Sequence, residues 1–382
     1  MAPSTWNCIY LLCLVFPIVV TASNDLSRFT QTIFLPWTSR FSSSFTPSIY
    51  GSINGQSYRF PVDTGSTTLM IGEPLLRHVR LTRGNEDRYQ KGWEFLDSSS
   101  LLYTGRFVPL EVTFYGQGYH KAVSRVPVLV VQKVVKCPAY NPKTGNGVCP
   151  RGKSERTTAS IHHVTYMGVG FGRNTPGSGI SFGTPKYNPF LNIVEIDGRK
   201  TSKYRTGYTV STEGVYLGLT SSNTRRAAWI NLRRGATYDP RDWAGPDMAF
   251  NVNGGGNYQG KALIDTGIPQ MFLRSTPSSP LPNITIPNPS PPPEDTKRVP
   301  DGTYLDFAFP KFESEVAGYD FTIGDNTAPS QPKYVQPLAG DSGPFVNTGR
   351  NFLYTFTILF DAVGGRFGFI KVLRRRESEI LD

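Results

Sequence analysis

Two short segments of this 382-residue chain hold residue types suited to hydrolysis by paired carboxyl groups. Arg59-Phe60-Pro61-Val62-Asp63-Thr64-Gly65-Ser66 and Lys261-Ala262-Leu263-Ile264-Asp265-Thr266-Gly267-Ile268 each run an apolar strand into Asp-Thr-Gly. One such tripeptide is a common turn composition. Two copies with apolar flanks, 202 residues apart, predict a repeated module that brings Asp63 and Asp265 together. The competing reading, two unrelated surface turns, leaves the shared flanks unexplained. Two carboxyls about 3 Å apart cannot both ionise, so one pKa falls and the other rises. The charged member takes a proton from water; the protonated member hydrogen-bonds a carbonyl and stabilises the oxyanion that forms. Gly65 and Gly267 let the turns bend and approach each other without a Cβ. Thr64 and Thr266 stiffen the loops, and Ser66 is placed to hydrogen-bond Asp63.

At these residues the chain resembles the pepsin-like aspartic proteases. Met167-Gly168-Val169-Gly170-Phe171-Gly172 resembles that family's glycine-rich strand behind the first active-site loop. Gly349, Asp361 and Gly368 are spaced like its C-terminal signature, and Gly214-Val215-Tyr216-Leu217-Gly218-Leu219-Thr220 like the strand closing its N-terminal lobe. The resemblance implies an all-β, bilobal fold of two β-barrel-like lobes with an inter-lobe cleft. It implies an N-terminal lobe over 23–222 and a C-terminal lobe over 223–382. Asp63 and Asp265 would be the catalytic pair of an aspartic-type endopeptidase, supported by Thr64, Gly65, Ser66, Thr266 and Gly267. Peptides or proteins would be the substrates, with no metal and no cofactor.

Several positions depart from the family pattern. Only about 40 residues separate Ala22 from Asp63, which leaves little room for a prosegment. Ile268 stands where Ser66 has a hydroxyl. Met70 replaces an aromatic beside the first subsite, and Gly168 and Val346-Asn347-Thr348 break the apolar pairs expected before Gly170 and Gly349. Either Tyr103 is the tyrosine of the substrate-covering flap, or Thr104-Gly105 belongs to the returning strand and the tip is simply short. These departures keep a second reading open: a non-proteolytic relative that binds polysaccharide or a protein partner, or one that uses its carboxylates on a non-peptide substrate.

The elements needed to hold the two turns are legible as strands. With 38 Gly, 31 Pro and 13% aromatic residues, and few long amphipathic helical patterns, the composition favours β structure with many turns. Tyr50 to Phe60 reads as a hairpin turning at Asn54-Gly55 and leading into Asp63. Val108 to Phe114 and Val126 to Val135 read as strands, 173–187 as surface turns, and the proline-rich 275–300 as an extended loop, at the cleft rim or inert.

The first 22 residues lack charge and end in Val20-Thr21-Ala22, which predicts a signal peptide over 1–22 and a secreted, extracellular protein. The apolar run is short for a membrane span, and no second one follows. Cys137 and Cys149 then remain as an even pair, predicting a disulfide. Asn283-Ile284-Thr285 is a glycosylation sequon. Net charge is +11, which suits either anionic polysaccharide or cell-surface contact or, at least equally, a generally solvated basic surface; no nucleic-acid motif accompanies it, and a monomer is expected. Gly340-Asp341-Ser342-Gly343-Pro344 mimics a serine-nucleophile motif but lacks a suitably flanked histidine, and adjacent His162-His163 point to opposite faces of a strand rather than to one metal.

Overall fold

The computed structural model describes residues 25–82, 84–150, 160–173, 182–287 and 296–373. The expected signal peptide, the basic residues 151–156 and 374–376, and 288–295 of the proline-rich stretch lie outside the described residues. Among those described, the chain is built of strands and short 3-10 turns, with no α-helix.

The hairpin read from Asn54-Gly55 is present. Ser48–Ile53 pairs antiparallel with Gln56–Asp63, and Asn54 and Gly55 take the positive φ values of 49° and 76° that a two-residue turn of this hand demands. The second strand carries Phe60 and Val62 fully buried and ends at Asp63. Leu101–Tyr115 and Lys121–Lys136 form a much longer hairpin, alternating at first and then apolar on both faces where the sheet is covered. Residues 182–187, expected at the surface, are partly internal: Phe182 and Tyr187 pack on Phe107, because a ring recovers far more free energy against other rings than in water.

The two Asp-Thr-Gly segments sit in the same local topology. Gln56–Asp63 runs parallel to Thr165–Gly168, which is also antiparallel to Leu69–Gly72 on its other side. Tyr258–Leu263 likewise runs parallel to Phe345–Asn347, which is antiparallel to Met271–Arg274. In each module the chain enters the turn on one strand and leaves on another, with a third threaded between them. The first belongs to a nine-stranded sheet and the second to a seven-stranded sheet.

A six-stranded sheet joins them, in the order Ile33–Pro36, Gly214–Leu217, Gly207–Val210, Phe356–Asp361, Arg366–Lys371, Ala228–Asn231. Its middle holds the buried carboxylate of Asp361, which accepts from Arg205 at 2.9 and 3.0 Å and from Arg366 at 2.8 and 3.2 Å. No helix among the described residues is long and apolar enough to cross a membrane. Cys137 and Cys149 form a disulfide, and the loop that it closes lays Gly147 against the Trp93 ring.

Candidate active site

The two turns meet. The Thr64 hydroxyl donates to the Ile264 carbonyl at 2.6 Å, and the Thr266 hydroxyl donates to the Val62 carbonyl at 2.7 Å. Each hydroxyl also accepts the other threonine's backbone N–H at 3.0 Å. This reciprocal set satisfies four backbone groups that burial would otherwise leave unpaired. It also fixes the separation of the carboxyls. A Cβ built on Gly65 would lie 2.3 Å from Cγ of Asp265, and one on Gly267 would lie 2.6 Å from Oδ1 of Asp63. Only glycine permits so close an approach.

Asp63 is richly supplied with donors. Its Oδ1 accepts the Gly65 N–H at 2.6 Å, and its Oδ2 accepts both the Ser66 hydroxyl at 2.6 Å and the Tyr166 hydroxyl. Asp265 has two: the Gly267 N–H on Oδ1 and the Asn347 side-chain amide on Oδ2, both at 2.7 Å. Burial and then the neighbouring Asp63 charge and hydrogen bond push Asp265 up to about 8, with Asn347 and Gly267 opposing. Burial and the neighbouring charge thus favour a proton on Asp265.

Tyr166 and Asn347 resolve two of the departures seen in the sequence. Ile268 offers no hydroxyl, and Asn347, reaching across from the threaded strand, supplies the missing donor. Met70 removes an aromatic on one strand, and Tyr166, its direct cross-strand partner, places a phenol at the carboxylate. Gly168 also has a steric cause: a Cβ there would come within 2.5 Å of the Ser66 hydroxyl. Sequence reasoning noted Asn347 only as a broken apolar pair. It passed over Tyr166, one residue before the glycine-rich segment; the polar residue types were the available signal.

Tyr103 lies on the returning strand of the hairpin Gln90–Leu96/Leu101–Tyr115, paired with Glu94. It packs with Trp93, Phe107 and Met70, and among the described residues its hydroxyl has no hydrogen-bond partner. Glu94 is buried, and desolvation pushes its carboxyl up to about 8, opposed by Arg173 and reinforced by Asp63. A further acid, neutral like Asp265, thus lies within electrostatic reach of Asp63. Arg350 is 3% exposed and donates to the carbonyls of Thr266, Gly267 and Ser43 and to the Thr46 hydroxyl. Burial lowers its pKa, while Asp265, Asp63 and Tyr166 sustain the cation. Glu94 did not figure in the sequence reading, and Arg350 figured only as a neighbour of Gly349 in the C-terminal signature. Asn283 is exposed beside Ile284–Ile286.

No protein-family model and no curated protein sequence matches this chain. Among solved structures it is similar to the aspartic proteinase from Irpex lacteus, with a TM-score of 0.52 and 14% identity over 90% of this chain and 98% of that one. The repeated modules, their mutual threonine bonds and this likeness together give the chain the all-β, bilobal pepsin-like aspartic proteinase fold.

Proposed function

We propose that this protein is an aspartic-type endopeptidase that hydrolyses internal peptide bonds at acidic pH. The observation that carries the proposal is the facing pair of carboxyls, one rich in donors and one holding a proton. Protonated Asp265 hydrogen-bonds the substrate carbonyl and passes its proton to that oxygen as the water adds. Asp63 takes a proton from the attacking water, which adds to the carbonyl carbon. The tetrahedral intermediate collapses as that proton passes to the leaving nitrogen, and Asp265 recovers its own. Tyr166 and Ser66 hold Asp63 for this exchange. In this proposal the protein is secreted after loss of 1–22 and is a monomer divided into lobes near 222/223, with Asn283 open to glycosylation.

Asp63→Asn and Asp265→Asn should each abolish cleavage of a diverse peptide library at acidic pH while thermal melting shows a folded protein. Undiminished hydrolysis by either variant rejects the mechanism.

One observation favours a second reading. Asp63 and Asp265 are only 4% and 6% exposed. A peptide reaches the carboxyls only if the residues that bury them give way. If they do not, the protein serves as a binding module for anionic polysaccharide or a protein partner. Intact peptides across the acidic range, together with retention on a polysaccharide column, select that reading.

A further inference from the structure

A well-formed cavity lies apart from the carboxyl pair. It has a volume of about 450 Å³ and lies where the two Asp-Thr-Gly modules meet the six-stranded sheet, reaching Thr64 and Ile264, whose mutual hydrogen bond ties the turns together. That volume falls in the range of small-molecule sites, about 300–1,000 Å³.

Its walls differ in character. One is aromatic: Phe171 stacks on Phe360 with ring centroids 3.8 Å apart, and Tyr208 and Phe367 extend the surface. The other is basic, and strand register explains why. Lys261 is the parallel partner of Phe345, and Arg274 is its antiparallel partner, so three adjacent strands set a cation on each side of one ring. Lys143, from the disulfide-closed loop, and Arg173 add two more cations to the lining, and none of the described lining residues is acidic.

Arg274 and Lys261 are only partly engaged. Arg274 donates from Nε to the Gly343 carbonyl at 2.8 Å, and among the described residues its terminal nitrogens have no hydrogen-bond partner. Asp341 is the acidic group that acts on it, and burial works against its charge. Lys261 donates to the Gly245 carbonyl and pairs with Asp247, each at 2.8 Å, which leaves one of its three N–H groups. A guanidinium with free terminal N–H groups beside an ammonium is suited to a carboxylate, and the facing rings to an apolar body.

We propose that this cavity binds an organic carboxylate carried on an apolar body, with Arg274 and Lys261 holding the carboxylate and the Phe171–Phe360 wall holding the body. The site is separate from the hydrolytic reading and stands whether or not the protein cleaves peptides. The carboxylate belongs either to a free medium-chain or aromatic acid or to the end of a short peptide.

Isothermal titration of the intact protein with decanoate, decanol, and acetyl-Leu-Phe as free acid and as amide tests the proposal. Saturable binding of at least one acid is expected, about tenfold or more tighter than its uncharged counterpart. The tighter acid identifies the source. Lys261→Met/Arg274→Met should weaken binding about tenfold or more; Ser342→Glu, which leaves both strands intact and adds a negative charge to the lining, should do the same. Asp63→Asn should bind as wild type does, which separates this site from the carboxyl pair. Absence of saturation with both acids overturns the proposal, as do equal affinity for acids and neutral analogues, an unaffected Ser342→Glu, and loss of binding in Asp63→Asn.

Discussion

Asn347 shows how a single side chain can restore what a turn has lost. Its amide is one of the groups that hold Asp265 down against burial and the Asp63 charge. Replacing it by Leu removes that donor, so the proton on Asp265 is held to higher pH. We predict that the alkaline limb of the rate profile moves upward in Asn347→Leu, as read from kcat/KM against pH. An unmoved limb would assign Asn347 a packing role only. Tyr166→Phe tests the other carboxyl: losing a hydrogen bond to a charged group costs roughly 1.5–3 kcal/mol, so turnover should fall by about tenfold to a hundredfold. A fall in kcat with little change in KM is the expected pattern, since the phenol is placed on the carboxylate rather than in a substrate pocket.

Among the elements, the paired turns act as one unit. Thr64→Val leaves the Ile264 carbonyl and the Thr266 N–H without their buried partner and should destabilise the protein by about 1–3 kcal/mol. Thr266→Val should cost a similar amount. The double variant should cost clearly less than the two together, because both hydroxyls belong to one reciprocal network and losing either pair of bonds loosens the other; denaturant titration of all four proteins measures this. Strict additivity would show that the turns are held independently. The sequence already contained this unit, because Asp-Thr-Gly and its apolar flanks recur and local turn chemistry is strongly coded. It also foreshadowed the Asn54-Gly55 hairpin and the disulfide. It did not disclose Tyr166, Glu94 or Arg350, whose significance comes from strand register and from burial beneath distant segments. Tyr166 reaches Asp63 only because a parallel strand is threaded beside it, and nothing within a short window of residues encodes that pairing. The burial of Phe182 escaped notice for a similar reason, since its partners Trp93 and Phe107 lie far upstream.

For the molecule as a whole, the buried acids set the direction of pH dependence. Asp265 and Glu94 are both pushed up to about 8, whereas unfolded carboxyls titrate near 4. Between those limits the folded chain holds more protons than the unfolded chain, so stability falls as pH rises through the window. We predict a melting temperature that declines from about pH 4 to about pH 8, and a shallower decline in Glu94→Gln. A flat curve would refute it. Asp361 has the opposite sign. Burial works against its ionisation, but hydrogen bonds and charge from Arg205, then Arg366, keep its pKa below the usual carboxylate value. Its contribution is therefore lost only as pH falls through that lowered value. Asp361→Asn strands two buried guanidinium groups and should cost about 3–5 kcal/mol near neutrality.

The shared six-stranded sheet has a further consequence for a severed chain. The link between Gly214–Leu217 and Ala228–Asn231 exposes Arg225 and Arg226, where trypsin can cut. The ladder from Gly207–Val210 to Phe356–Asp361 and the Arg205–Asp361 ion pair span that cut. Such a nick divides the covalent backbone but leaves these non-covalent ties in place. The two fragments should co-migrate on native gels and part only in denaturant.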